Sequence, residues 1–158
     1  MSNQLNDEIV AALWDVVRNT RAEVCKLPGC ENARVHELEI MVTPGGAGRQ
    51  RKHRDGNYDW MNVVLSLYTT KQRTRGTWCA SDYRPPPAGM DNWAQDLESF
   101  NYERLPVPAG GGCAFHGCLP HYGPGNLDAS EDRFVLFLVF ALNKEAEMHF
   151  TDDAVVWD

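Results

Sequence analysis

Residues Arg133 to Leu142 read RFVLFLVFAL, an almost unbroken apolar run that limits the fold more than any other stretch. It is too short to cross a bilayer as a helix. It fits either a buried helix or a strand covered on both faces. Its Phe, Val and Leu content, and the loop-like residues Pro120 to Ser130 before it, favour a buried central strand.

Strand candidates with Gly and Pro turns surround that run. Val35 to Thr43 alternates and ends in Pro44-Gly45-Gly46. Met61 to Thr70 has one face much more apolar than the other, and Gly76 to Ala80 is a short candidate. Arg84 to Ser99, with Pro85-Pro86-Pro87 and Trp93, is a long excursion of the kind that forms lids or binding loops. Cys113 to His116 follows the turn Gly110-Gly111-Gly112. Before all of these, Asn6 to about Lys26 is one helix. Its apolar stripe is Ile9, Leu13, Val16 and Val17, Asn6 is its expected cap, and Leu27-Pro28-Gly29 ends it. The pattern predicts a mainly β single domain: a jelly roll with the N-terminal helix packed on the sheet. Residues 1–34 form a helical cover, 35–142 the core and 143–158 an acidic tail ending in Val155-Val156-Trp157.

Apolar residues make up 43% of the 158 positions and charged residues 23%, enough to fold around one real core. The net charge of −7 argues against a general nucleic-acid binder. Seven basic residues nonetheless cluster between Arg49 and Arg75: Arg49, Arg51, Lys52, Arg54, Lys71, Arg73 and Arg75. They are either a solvated loop surface or an entrance that attracts anions. The odd number of cysteines (five), the absence of a signal-like pattern over Met1 to Asp7 and the lack of a spanning segment together predict a cytoplasmic protein with reduced thiols and no membrane contact. Cys25 and Cys30 have no second Cys/His pair at zinc-site spacing.

The chemistry lies in His53-Arg54-Asp55, answered by His121 and then Arg133. In an extended segment residues i and i+2 share a face, so His53 and Asp55 can offer a nitrogen and an oxygen to one ion. Two imidazoles and one carboxylate form a facial set for Fe(II) that leaves the opposite positions open. His53 in its basic surroundings also fits an exposed loop histidine. Arg133 is either an exposed strand end paired with Glu131 or Asp132, or a guanidinium fork that grips a carboxylate. His116 is a rival to His121, but it lies farther from Arg133. His36 and His149 have no partner pattern.

With HRD at 53–55, HYGPGN at 121–126 and RFVLFLVF at 133–140, the chain resembles the Fe(II)/2-oxoglutarate-dependent oxygenases. The region after His121 is most similar to the phytanoyl-CoA hydroxylase-like branch, although Gly123 stands where that branch usually has Ser. NVVLSLYTT followed by RGTW is similar to the prolyl-hydroxylase-like pattern. The resemblance covers roughly residues 35 to 142. It implies a double-stranded β-helix with iron held by His53, Asp55 and His121, and with Arg133 on the distal carboxylate of 2-oxoglutarate. Tyr68 is implied as a second co-substrate contact or is an ordinary core aromatic. Asn126 touches the co-substrate, braces the ligand loop or forms a turn. The implied reaction hydroxylates a substrate with release of succinate and CO2. The substrate is a small-molecule, carrier-linked or peptidyl group, and Tyr83, Arg84, Trp93 and Tyr102 are candidate entrance residues.

The same residues fit two other readings. A cupin-type metal enzyme would not need Arg133, but Pro108 to Asn126 lacks the tight Pro-x-Gly-x-x-His spacing of such enzymes. A non-catalytic jelly-roll binding module would hold no iron.

Overall fold

The structure is a computed structural model and describes residues 2–56, 59–67, 76–85, 95–105, 107 and 111–143. Tyr68, Trp93, His149, the basic residues Lys71, Arg73 and Arg75, and the acidic tail lie outside the described residues. Among the described residues one α-helix, α1 (Ser2–Val24), precedes seven strands: β1 (Arg34–Thr43), β2 (Trp60–Ser66), β3 (Trp78–Ala80), β4 (Tyr102–Arg104), β5 (Gly112–His116), β6 (His121–Tyr122) and β7 (Arg133–Ala141). They form two antiparallel sheets. The larger has the order β1-β7-β2-β5, and the smaller β4-β3-β6.

The apolar run is the strand expected, β7, hydrogen-bonded to β1 on one side and β2 on the other. Its alternation supplies two faces. Leu136, Leu138 and Phe140 point towards α1 and form one core with Val17, Val24, Ala33 and Val63. Leu138 and Phe140 are 0% exposed. Burying each such side chain contributes about 1.5–3 kcal/mol. Val139 packs on the opposite face with Trp60, and Val135 and Phe137 line a cavity there.

The helix differs from expectation at both ends. It begins at Ser2, so Asn6 lies inside it rather than capping it, and its last residue is Val24. The buried positions are Val17 and Val24, with Leu13 partly buried, whereas Ile9 and Val16 are exposed. The C-terminal half therefore makes the sheet contact. Arg21 Nε strengthens that contact by donating to Ala33 O at 2.8 Å. Gly29 makes the following turn in the left-handed region, at φ 81°.

Two strands escape the sequence pattern, β4 and the two-residue β6. The excursion carries a 3-10 helix, Leu97–Ser99, capped by Asp96, whose side chain accepts from Glu98 N at 3.0 Å. All five cysteines are free. Among the described residues no helix is long and apolar enough to cross a membrane.

Candidate metal centre

The segment leading to His53 runs alongside β6 and extends the smaller sheet by one short ladder. His53 N donates to His121 O and His121 N to His53 O, each at 2.9 Å. Gln50 N donates to Gly123 O (3.0 Å) and Asp55 N to Gly117 O (3.1 Å) on either side. This ladder makes the i, i+2 geometry of His53 and Asp55 real and sets His121 beside them.

One donor atom from each of His53, Asp55 and His121 falls within 4.8 Å of the others, the single such group of three among the described residues. His53 Nε2 is 3.3 Å from Asp55 Oδ1, and His121 Nε2 is 3.4 Å from Asp55 Oδ2. Both imidazoles are oriented from behind. His53 Nδ1 donates to Arg51 O and His121 Nδ1 to Leu119 O, each at 2.8 Å. Those bonds fix the Nδ1–H tautomer and leave both Nε2 lone pairs facing the centre, as in histidines that ligate metals.

The carboxylate has its own support. Asn62, 0% exposed on β2, donates from Nδ2 to Asp55 Oδ2. The sequence reading missed Asn62. Its signal is a polar residue inside MNVVLS, on the same face as Trp60 and Val64.

The two histidines differ electrostatically. Hydrogen bonding to Asp55 holds His53 above its ordinary pKa, despite partial desolvation. Burial pushes His121 below its ordinary pKa, and the Asp55 charge only partly offsets this. On β1, burial, a hydrogen bond that the protonated Glu37 carboxyl donates to Glu39, and the charges of Glu39 and Asp55 push Glu37 up to about 7. Glu39 lines the cavity, so acidic groups stand beside the centre as well as basic ones.

The same cavity reaches Arg133. Its Nη2 donates to Pro124 O at 2.7 Å and to Thr43 Oγ1 at 2.9 Å, and Thr43, Gln50, Gly123 and Pro124 line the wall around it. Gly123 has a local reason. Its N–H donates to Gln50 Oε1 at 2.7 Å, and a Cβ there would sit 2.5 Å from that oxygen. Glycine thus lets the Gln50 side chain close over the backbone.

Asn126 is buried but is not among the residues lining this cavity. Its Nδ2 donates to Glu131 O (2.6 Å) and Thr43 O (3.2 Å), which ties the loop before Arg133 to itself and to the end of β1. Of the roles expected for it, its contacts describe bracing. His116 turns away from the centre, towards Cys118 and Asp59. His36 stacks on Trp60.

The described basic residues are held by local contacts. Arg54 is 5% exposed, bonded to Gln95 Oε1 (2.9 Å) and near the Tyr83 ring. Lys52 pairs with Glu98 above the Tyr102 ring, and Arg49 lies over Tyr122. Tyr83 is buried rather than placed at an entrance.

No protein-family model matches the chain, and no curated protein does. Solved structures do match. EvdO2 from Micromonospora carbonacea var. aurantiaca, complexed with 2-oxoglutarate, aligns at TM-score 0.60 and 18% identity over 85% of this chain and 63% of its own. SnoN, a non-heme alpha-ketoglutarate-dependent epimerase from nogalamycin biosynthesis, aligns at TM-score 0.60 and 14% identity over 77% of this chain and 54% of its own. The non-heme monooxygenase ThoJ, as a nickel complex, aligns at TM-score 0.55 and 18% identity over 77% and 49%. SnoN and ThoJ are non-heme enzymes, and at such identities the likeness of all three establishes a shared fold. The chain spans about half to two thirds of their length, from 49% for ThoJ to 63% for EvdO2.

Proposed function

We propose that this chain is a non-heme Fe(II)/2-oxoglutarate-dependent oxygenase built on a double-stranded β-helix. The observation that carries the reading is the convergence of His53 Nε2, His121 Nε2 and the Asp55 carboxylate, with both Nδ1 atoms tied to backbone carbonyls. Two neutral nitrogens and one carboxylate suit Fe(II) and leave coordination positions for other ligands. The structural neighbours support this class, including one complexed with 2-oxoglutarate.

His53, Asp55 and His121 hold the metal in this reading, and Asn62 fixes the Asp55 carboxylate. Arg133 presents a permanently charged fork to the far carboxylate of 2-oxoglutarate, in a cavity where the lower dielectric strengthens that attraction. Thr43 and Gln50 flank the fork. Phe115, Val135 and Phe137 give the cavity apolar walls that exclude water. Fe(II) and 2-oxoglutarate held there would, with O2 as the oxidant, supply the oxidation of a substrate C–H bond, one oxygen atom going to succinate as CO2 leaves and the other to the substrate. We take the outcome to be hydroxylation and the branch to be phytanoyl-CoA hydroxylase-like, from the spacing of His121, Asn126 and Arg133. Tyr68 remains proposed as a further co-substrate contact. The substrate is a small-molecule, carrier-linked or peptidyl group.

The test is succinate release from 2-oxoglutarate by aerobic protein supplied with Fe(II). The reading requires turnover that disappears in Asp55→Ala. Succinate formed equally by that variant would overturn it.

A further inference from the structure

A second group of reactive side chains lies beyond the metal centre. Cys118 Sγ is 3.0 Å from His116 Nδ1, and His116 Nε2 is 3.6 Å from Asp59 Oδ1. Asp59 is itself held, because Asn143 Nδ2 donates to its Oδ2 at 2.7 Å. On the other side, Tyr83 OH donates to Cys118 Sγ at 3.7 Å. The order Cys, His, Asp is that of a thiol activated by a base that a carboxylate orients. We propose that Cys118, with His116 and Asp59, is a second reactive site of this chain, a half-buried thiolate that hydroperoxides oxidise to a sulfenic acid.

The chemistry balances within the group. The thiolate sulfur attacks the terminal hydroxyl oxygen of the hydroperoxide, an S–O bond forms and the O–O bond breaks. Sulfur is oxidised by two electrons, the peroxide is reduced, and the departing alkoxide or hydroxide takes the proton held by His116. The products are Cys118 sulfenic acid, an alcohol or water, and neutral His116.

The surroundings set Cys118 apart from the other thiols. Burial raises Cys30, Cys113 and Cys79, the last to about 12, which keeps them protonated and inert. Burial acts on Cys118 in the same direction, but hydrogen bonding and charge from His116, with help from Tyr83, outweigh it and bring the thiol down. Among the described residues, the titratable and charged groups facing the sulfur are His116 and Tyr83, with Asp59 behind His116 and Arg54 against the Tyr83 ring. The turn that carries Cys118 also carries Gly117 O and Leu119 O, which accept from Asp55 N and His121 Nδ1. An oxygen added at Cys118 therefore enters the segment that positions both of those residues.

The full chain as purified, held in chelator so that no metal-borne oxidant forms, is exposed to graded hydrogen peroxide with dimedone as the sulfenate trap. Its cysteines are then compared by peptide mass spectrometry. Alkylation rates with monobromobimane are followed against pH. Cys118 should trap first and alkylate about tenfold faster at neutral pH than Cys25, a thiol buried to a similar degree. His116→Asn and Asp59→Asn should move its ionisation midpoint upward and remove that advantage. Reactivity equal to that of Cys25, or unchanged in a folded His116→Asn variant, would overturn the proposal. Should His116→Asn fail to fold, Asp59→Asn and the wild-type ratio of Cys118 to Cys25 decide. Because no metal is involved, the result is independent of the iron reading.

Discussion

His53 and His121 exchange two backbone hydrogen bonds of 2.9 Å, and their rings lie 4.3 Å apart at 55°. This pairing joins residues from two distant parts of the sequence. It aims both Nε2 atoms at Asp55 before any ion arrives. A site fixed by backbone ladders carries its geometry in the fold, so side-chain truncation there should remove function and spare stability.

Asn62 offers the sharpest separation of support from ligation. It reaches Asp55 through its Nδ2, an amide nitrogen that donates and has no lone pair to offer a metal. Losing such a support typically costs about 10–100-fold in metal affinity or activity. Asn62→Ala should weaken Fe(II) binding by that order while secondary structure is retained. Metal titration with circular dichroism checks this. Unchanged affinity would remove Asn62 from the site.

Arg133 should act on the co-substrate and not on the metal. Hydrogen bonds to charged groups contribute about 1.5–3 kcal/mol, so Arg133→Ala should weaken 2-oxoglutarate binding by roughly ten- to a hundredfold. Arg133→Lys should recover only part of this, because a point charge lacks the planar fork. Calorimetry on Mn(II)-loaded protein measures both. An equal loss of Mn(II) affinity would mean that Arg133 serves the fold rather than the ligand.

Glu37 sets a pH dependence of stability. Its carboxyl is pushed up to about 7 from an ordinary 4.5, first by burial and then by Glu39 and Asp55. Between those values the native state holds a proton that the unfolded chain has released. The associated stabilisation is complete below about 4.5 and is lost as pH rises through about 7. Glu37→Gln should flatten the decline in melting temperature between about pH 5 and about pH 8, a window that spans the release of this proton. Parallel thermal melts at each pH compare the two proteins, and identical slopes would contradict the assignment.

The core should respond to position rather than to hydrophobicity alone. Leu138 is 0% exposed between α1 and the sheet, whereas Ile40 on β1 is 56% exposed. Leu138→Ala should cost about 2–5 kcal/mol. Ile40→Ala should stay within about 0.5 kcal/mol. Urea denaturation measures both, and equal losses would contradict the packing.

Much of this was legible in the sequence because it depends on local pattern. The apolar run from Arg133 emerged as β7, and the His-x-Asp spacing placed two donors on one face as period-two geometry requires. The rest depends on partners far away in the chain. A two-residue strand such as β6 has no periodicity to read, and only its pairing with β3 and with His53 defines it. Asn62 looks like an interruption of an apolar strand until Asp55 is seen above it. The helix stripe misled for a similar reason. Periodicity identified an apolar face, but the sheet covers only the half near Val17 and Val24, so Ile9 stays in solvent.

The most direct test is an anaerobic titration of the protein with Fe(II) and then 2-oxoglutarate, monitored for the visible charge-transfer band of an iron-chelated keto acid. A band in the wild type that weakens strongly in Arg133→Ala and vanishes in His121→Ala would establish metal, co-substrate and anchor together. Fe(II) binding with no band in the wild type, or a band unaffected by His121→Ala, would contradict the account.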